Sequence, residues 1–251
     1  MAADEGYIMT DLTIAVTGAM IMLIITPIFH PLSRKLESIS QRIYRIKPVS
    51  VHVETDPSIA WAGFPNWIAA WVWLPRLPDG SPPEHPTDWR NWALNLGGCD
   101  AYVTVLKVTI TSRTTTTVVV DQPKLRFKKM PAELSRGGVI ATNPVGGAAL
   151  EPRRIEVRPE IGTSMWIDEE GQSIRPLGLT LSPGEVEQFY IFTRVDSGLY
   201  EWRLELPVLV DGKRTTVPIS GPHEGWFRTC GLEDLKEHVY IDNSWQIVDA
   251  V

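Results

Sequence analysis

Histidine and cysteine are the first residues to consider for covalent or acid–base chemistry in this chain. The 251 residues include five histidines and two cysteines, Cys99 and Cys230. His223 and Glu224 stand shortly before Cys230 and form the best candidate in the sequence for a nucleophile beside a base. A loop histidine and a structural thiol explain the same residues, and the sequence contains no Gly-x-Ser-x-Gly, His-Glu-x-x-His or Ser-x-x-Lys motif. The sequence therefore predicts a protein that is not an enzyme.

Metal, cofactor and nucleic-acid sites are not indicated either. The cysteines have neither a CxxC spacing nor a Cys/His metal spacing, so we expect no metal and no cofactor. The acidic triplet Asp168–Glu170 precedes Gly171, which is typical of a turn rather than of catalytic carboxylates. The formal net charge is −6, and basic residues dominate no long stretch of the part that follows residue 47. This balance argues against a nucleic-acid partner.

An uncharged, apolar stretch near the N-terminus indicates one membrane span. Leu12–Phe29 contains no charged side chain, and a bilayer core of ~30 Å requires about 20 apolar residues in a helix. The residues before this stretch include no Lys or Arg, and no Ala-x-Ala site follows it, so we do not expect a cleaved signal peptide. The sequence thus predicts a tail at residues 1–11 and a transmembrane helix at residues 12–30, with the lipid bilayer as a partner.

Basic residues follow this span and set its expected orientation. The candidate membrane-interface residues are Arg34, Lys35, Arg42, Arg45 and Lys47. Because Lys and Arg collect on the cytoplasmic side of a membrane helix, the C-terminal part should face the cytoplasm. The predicted location is therefore the plasma membrane, in a single-pass topology.

Residues 31–47 also have the pattern of an amphipathic helix. Apolar residues recur there at helical spacing, namely Leu32, Leu36, Ile39, Ile43 and Ile46. Such a helix can continue the span, lie on anionic lipid, or pair with a second copy as a short coiled coil. Pro31 favours a kink and a helix in the membrane interface.

Residues 48–98 are rich in tryptophan and proline, and this composition predicts a connecting segment. Six of the ten tryptophans lie there, and the prolines exclude long helices and central strands. A short helix that begins at Thr87 or Asp88 and ends before Gly97 is the exception. The tryptophans fit either core packing or a partner surface, for which the candidates are Trp61, Trp67, Trp71 and Trp73.

From Tyr102 onward, apolar residues recur at every second position, which is the period of a β-strand. Two clear examples, Val186–Val195 and Leu199–Leu206, are expected to pair across the turn at Asp196–Gly198. Roughly eight or nine short strands separated by turns are typical of a β-sandwich. The sequence predicts a mainly β fold with an antiparallel, immunoglobulin-like sandwich at residues 99–230. A tail with a short helix at Leu232–His238 is expected at residues 231–251.

Residues 88–230 contain a set of motifs built from turn residues and aromatic residues. These motifs are DWRNWA from Asp88, VTVLKVTITSRT from Val103, VVVDQPKLRF from Val118, LSPGEVEQFYIFTR from Leu181, LYEWRLEL from Leu199 and WFRT from Trp226. The pattern resembles that of uncharacterised actinobacterial proteins with a membrane-anchored β-sandwich. The resemblance implies this architecture, but it implies no activity and no catalytic residues. Trp226 departs from the pattern, in which a proline would precede Phe-Arg.

Together these features predict a membrane-anchored binding or scaffolding module with an unidentified protein partner. An alternative places the domain outside the cytoplasm, as a sensor or adhesion domain. Cys99 and Cys230 stand just before the first and just after the last predicted strand, so they could then form a disulfide. A membrane-tethered hydrolase is the third alternative and ranks last.

Overall fold

The computed structural model describes most of the chain that follows the predicted membrane region. The described residues are 47–60, 70–85, 88–136, 138–143, 153–174, 177–233 and 235–248. The chain divides into two compact units, Met1–Lys47 and Pro48–Val251, and the fold below is that of the second. The predicted transmembrane helix at residues 12–30 lies outside the described residues. Within those residues, no helix has the length and apolar character required to cross a membrane.

The second unit is mainly β, as the sequence predicts. Its strands are β1 (Val49–Glu54), β2 (Ala70–Leu74), β3 (Cys99–Ala101), β4 (Val103–Ser112), β5 (Val118–Asp121), β6 (Lys124–Lys129), β7 (Val139–Asn143), β8 (Arg154–Arg158), β9 (Thr163–Ile167), β10 (Leu177–Leu181), β11 (Val186–Arg194), β12 (Leu199–Val210), β13 (Lys213–Ile219), β14 (Phe227–Cys230), β15 (Glu237–Ile241) and β16 (Ser244–Val248). The short helices are α1 (Pro57–Ala60), α2 (Trp89–Asn95), α3 (Ala132–Arg136) and a 3₁₀ turn at Pro159–Ile161.

The strands form two sheets. The smaller has five strands in the order β1-β4-β11-β8-β9. The larger has eleven strands, and its main path runs β10-β5-β12-β14-β3-β2-β7-β15-β16, with β6 and β13 also paired to β12. The two sheets pack over one apolar core, which is the layering of a β-sandwich.

The core follows directly from the alternating pattern of the strands. In β4, the alternate residues Thr104, Leu106, Val108 and Ile110 are fully buried, which confirms the period-two interpretation. From the opposite sheet, Trp202, Leu204, Leu206 and Val208 of β12 point into the same core. Trp202 stacks on Phe227 at a centroid distance of 4.8 Å. This part of the molecule is therefore held by aliphatic and aromatic burial.

The predicted pairing of Val186–Val195 with Leu199–Leu206 is wrong. β11 pairs with β4 and β8 in the smaller sheet, whereas β12 belongs to the larger sheet. The turn at Asp196–Gly198 therefore carries the chain from one layer to the other. The physical reason is that two strands with one strongly apolar face can bury those faces against each other as facing layers.

The prediction of purely antiparallel sheets is wrong. Three pairs are parallel: β8 with β11, β3 with β14, and β7 with β15. Each joins strands that are distant in sequence, which local alternation cannot reveal.

The boundaries of the predicted connecting segment and tail also differ from the structure. Residues 48–98 contribute β1 to the smaller sheet and β2 to the larger. Residues 231–251 provide the hairpin β15–β16, and no helix is present among the described residues of Leu232–His238. We call the strands β3, β2, β7, β15 and β16 the extension, because they prolong the larger sheet beyond the core described above. Helix α2 packs on one face of the extension, through Trp89 and Ala93.

Helix α2 forms close to where the sequence predicts it. It begins after Asp88 and ends at Asn95, and Gly97 then adopts a φ of +78°. The Asp88 side chain makes no capping hydrogen bond. The helix is held instead by burial of Trp89 and by Arg90, whose Nη1 donates to the carbonyl of Thr55 at 2.6 Å.

Candidate binding cleft

A cleft lies at the extension, between the proline-rich loop and the C-terminal hairpin. Its volume is about 390 Å³. The residues that line it are Pro82, Pro83, Glu84, Trp89, Thr142, Val239, Tyr240 and Ile241. These come from three separate parts of the sequence, and the extension of the sheet brings them together.

The aromatic wall of the cleft is a set of packed rings. Trp89 and Trp92 are three residues apart, on neighbouring positions of α2, and their rings meet edge to face at 5.5 Å. Tyr240 and Trp245 are directly opposite each other in the hairpin, with centroids 5.2 Å apart. Trp89 and Trp245 join the two pairs at 6.5 Å. Because each ring is restrained by its neighbours, the wall is largely pre-formed.

The proline wall is tied to the aromatic wall by one hydrogen bond. The Trp89 indole Nε1–H donates to the carbonyl oxygen of Pro83 at 2.9 Å. Trp89 is only 3% exposed, so this bond also satisfies a buried donor. Pro82 and Pro83 have no backbone N–H, so this wall supplies no main-chain donors at those two positions.

The third wall is the edge of a strand. Successive side chains of a strand point to opposite faces of the sheet. A cleft that touches Val239, Tyr240 and Ile241 in succession must therefore meet the main chain of β15 from the side. The other edge of β15 is paired with β16.

Among the described strands, the edge of β15 that faces β7 lacks a partner near its C-terminal end, because the ladder between them ends early. β7 and β15 pair at only two positions, Ile140 with Glu237 and Ala141 with His238. β15 continues to Ile241, but Val239–Ile241 have no ladder partner on that side among the described strands. The cleft begins where the two strands diverge, with Thr142 of β7 on its other side.

One charge lies among the described residues that line the cleft. Glu84 is exposed at the rim, and the remaining lining residues are uncharged. The cleft is therefore apolar and aromatic with an acidic rim. It is suited to a ligand with apolar groups and a basic group.

Of the four tryptophans proposed from sequence as a partner surface, the two that the structure describes, Trp71 and Trp73, are not among the residues that line this cleft. Trp61 and Trp67 lie outside the described residues. Trp73 is only 5% exposed and packs with Cys99 and Ile140, so it is a core residue and not a surface residue. Trp71 is half-buried, with its ring edge-on to Tyr102 at 6.4 Å.

The sequence contains a partial indication of the aromatic wall. Trp89 and Trp92 stand three residues apart in a predicted helix, so their rings are expected to be neighbours. Tyr240 and Trp245 lie in the predicted tail, where no sequence pattern indicates a sheet partner.

Four of the five candidate membrane-interface residues lie outside the described residues, namely Arg34, Lys35, Arg42 and Arg45. The fifth, Lys47, is the first described residue and is exposed.

The two thiols are not activated nucleophiles. Cys99 and Cys230 are free, buried and part of one apolar cluster. Burial raises the pKa of Cys230 to about 12 and raises the pKa of Cys99 well above its ordinary value. Both therefore remain protonated near neutral pH, whereas a reactive cysteine requires a thiolate.

His223 lies in the loop between β13 and β14. Burial lowers its pKa, and the neighbouring Arg228 guanidinium lowers it further. Its Nε2 atom is buried and has no hydrogen-bond partner among the described residues. The ring is therefore neutral near pH 7.

A buried ion pair lies under α2. Arg90 Nη2 is 3.1 Å from Asp100 Oδ2, and both side chains are nearly inaccessible to solvent. Burial nevertheless raises the pKa of Asp100, because the desolvation of the carboxylate outweighs the attraction of Arg90. Next to this pair, Thr229 Oγ1 accepts a hydrogen bond from Trp202 Nε1 at 2.9 Å and lies 2.6 Å from Thr104 Oγ1. These groups connect the core to the extension.

Two other charged features are explained by local structure. Asp168 Oδ1 accepts hydrogen bonds from the backbone N–H groups of Glu170 and Gln172, which confirms the turn. No group of three His, Cys, Asp or Glu side chains in the described ranges could hold a metal ion. On the outer face of β6, Arg126 pairs with Glu205 at 3.1 Å and Lys128 with Glu201 at 3.6 Å.

Comparison with known proteins assigns no family. No protein-family model and no curated protein matches the chain. Among solved structures, a structural-genomics target designated SoR45 has 10% identity, covers 75% of this chain and 90% of its own, and has a TM-score of 0.28. A Bordetella pertussis protein whose assignment as ApaA is provisional has 13% identity, coverages of 75% and 98%, and the same TM-score of 0.28. At these values the chain has distant likenesses only, and neither supports an argument about fold or function.

Proposed function

We propose that this chain is a membrane-anchored binding module, without enzymatic activity, whose ligand site is the cleft between the proline-rich loop and the C-terminal hairpin. The observation that carries the proposal is the pre-formed wall of Trp89, Tyr240 and their neighbouring rings beside an open strand edge. Concave apolar sites with a few polar groups are where proteins most often bind ligands.

The membrane anchor is supported by the sequence. The uncharged stretch Leu12–Phe29 and the basic residues after it favour a single-pass helix with the binding module in the cytoplasm. We also propose an immunoglobulin-like topology for the sandwich and a relationship to actinobacterial membrane-anchored β-sandwich proteins.

The absence of enzymatic activity is supported by the state of the candidate groups. The pKa of Cys230 is raised to about 12, so His223 and Glu224 have no thiolate to use beside them.

A second function keeps the site but moves the domain outside the cytoplasm. It is favoured by the positions of Cys99 and Cys230 in neighbouring strands and one cluster. A reporter fused to the C-terminus, read on both sides of the membrane, separates the two locations. In the cytoplasmic case, a thiol reagent should label both cysteines only after denaturation, without prior reduction. Labelling that requires a reductant would contradict it.

The binding site is tested by photocrosslinking of the full chain in native membranes. Benzoylphenylalanine placed at Ile241, which is 46% exposed at the cleft, should give one reproducible adduct. The same group at Leu209, which is 37% exposed on β12, is the matched control and should give none. Tyr240→Ala should abolish the adduct at Ile241. Equal labelling from both positions, or none from Ile241, would contradict a ligand site in the cleft.

A further inference from the structure

We propose that the ligand of the cleft is an extended peptide segment that pairs with the open edge of β15 and places a basic side chain near Glu84. This inference rests on the proposed function, since it takes the cleft to be the ligand site. It adds the chemical class of the ligand and the atoms that hold it.

The register of the sheet is the first argument. The parallel ladder between β7 and β15 stops after Ala141 and His238, while β15 keeps its extended conformation to Ile241 through its pairing with β16. Alternate residues of a strand direct their N–H and C=O groups to opposite edges, so within Val239–Ile241 it is Tyr240 that presents both groups on the side of β7. A peptide in the cleft can accept and donate main-chain hydrogen bonds at that edge, as in other cases of strand addition.

The proline wall is the second argument. Open strand edges tend to be closed by neighbouring chain. Here the neighbouring segment contains Pro82 and Pro83, which lack N–H groups and cannot complete a ladder. The Pro83 carbonyl is already occupied by the Trp89 indole. Neither proline can therefore donate a hydrogen bond to the main chain of β15.

The side chains of the cleft supply the remaining specificity. Alternate residues of a bound strand would point toward the rings of Trp89 and Tyr240, which favours an aliphatic or aromatic residue there. Glu84 is the one charge among the described lining residues and is exposed, so a Lys or Arg on the peptide is complementary to it.

The test uses the full chain in detergent micelles and a library of random linear peptides displayed on phage. Enriched sequences should share a basic residue and an apolar residue. A synthetic copy of the best peptide is then methylated at one backbone nitrogen at a time. Pairing with Tyr240 uses one peptide N–H, so methylation should weaken binding by about tenfold at that nitrogen and have little effect at the neighbouring ones.

The protein is varied in parallel. Glu84→Gln should weaken binding of the selected peptide. Glu233 is an exposed carboxylate outside the cleft, so Glu233→Gln should leave that binding unchanged. If the selected peptide binds Glu84→Gln and the wild type with equal affinity, the inference that its basic side chain lies near Glu84 is overturned.

The outcomes separate this inference from the proposed function. A loss of binding confined to one peptide nitrogen supports pairing with β15. Equal effects at neighbouring nitrogens, or an absence of enriched peptides, overturn the peptide inference while an adduct from Ile241 still supports the cleft as the site. Absence of both peptides and adduct overturns the two proposals together.

Discussion

The core of the sandwich and the extension of its larger sheet are stabilised in different ways. In the core, fully buried residues such as Trp202, Leu204 and Leu206 alternate along one strand and pack against the facing sheet. In the extension, β3 has only three residues, two parallel pairs occur, and helix α2 takes the place of a facing sheet. The comparison shows that one sheet can be continuous in its hydrogen bonding and yet rest on two kinds of packing.

The polar groups sharpen this contrast. The core of β4 and β12 contains almost only apolar side chains, whereas the extension begins at the buried pair Arg90–Asp100. Arg90 contacts the larger sheet through Asp100, and through its hydrogen bond to the carbonyl of Thr55 it contacts the end of β1. The extension is therefore attached by geometry-dependent contacts, while the core is stabilised by non-directional burial.

Truncation of the core should have the largest effect on stability. Trp202→Ala removes a fully buried ring and its hydrogen bond to Thr229, so we expect the free energy of unfolding to fall by about 3–5 kcal/mol. Urea unfolding of the full chain measures this. Leu209→Ala on the same strand, at a 37% exposed position, is the control and should change stability by roughly 0.5 kcal/mol or less. Similar losses for both variants would show that the core is not the dominant stabilising region.

Removal of one member of the buried ion pair should come next. Arg90→Met leaves the Asp100 carboxylate buried without its partner, and we expect a loss of about 3 kcal/mol. The double variant Arg90→Met, Asp100→Leu should recover much of this loss, since no buried charge then remains. If the double variant is as unstable as the single one, the pair does not act through its charge.

Loss of one hydrogen bond in the cleft should have a smaller effect. Trp89→Phe keeps an aromatic ring but removes the donor to the Pro83 carbonyl, which predicts a destabilisation of about 1 kcal/mol. Trp92→Phe is a matched control, because the described structure shows no indole hydrogen bond for Trp92. Hydrogen exchange should increase in residues 77–85 for the first variant only. Unchanged exchange there would contradict the role of the indole in holding the proline wall.

Protonation of His223 should have the smallest effect on the free energy of unfolding. The direction in which folding shifts its pKa determines the sign of that effect. Because burial lowers the pKa of His223, the unfolded chain binds the proton at a higher pH than the folded chain does. The free energy of unfolding should therefore fall as the pH decreases below about 6.5, the ordinary histidine pKa, and be unaffected by this group at higher pH. Asp100, whose pKa is raised, acts in the opposite sense nearer the ordinary carboxyl range.

Urea unfolding of the wild type and of His223→Gln on both sides of that pH checks the assignment. The variant should lose part of the decrease in stability at low pH. An identical pH dependence in both proteins would assign the decrease to other groups.

The sequence by itself determined the strands of the core and the helix α2. The alternation of apolar residues in Val103–Ser112 and in Leu199–Leu206 depends only on which face of a strand is buried, and that is a local property of period two. The turn at Asp168–Gly171 followed from residue preferences in the same way.

Only the tertiary structure decided which strands are neighbours. Strands β11 and β12 are adjacent in sequence but enter different layers, and β15 pairs with β7 across almost one hundred residues. The cleft lies where that last ladder ends, so Tyr240 and Trp89 meet for a reason that no local pattern contains. Local period sets which side of a strand is buried, but the partner that buries it is chosen by the packing of the whole chain.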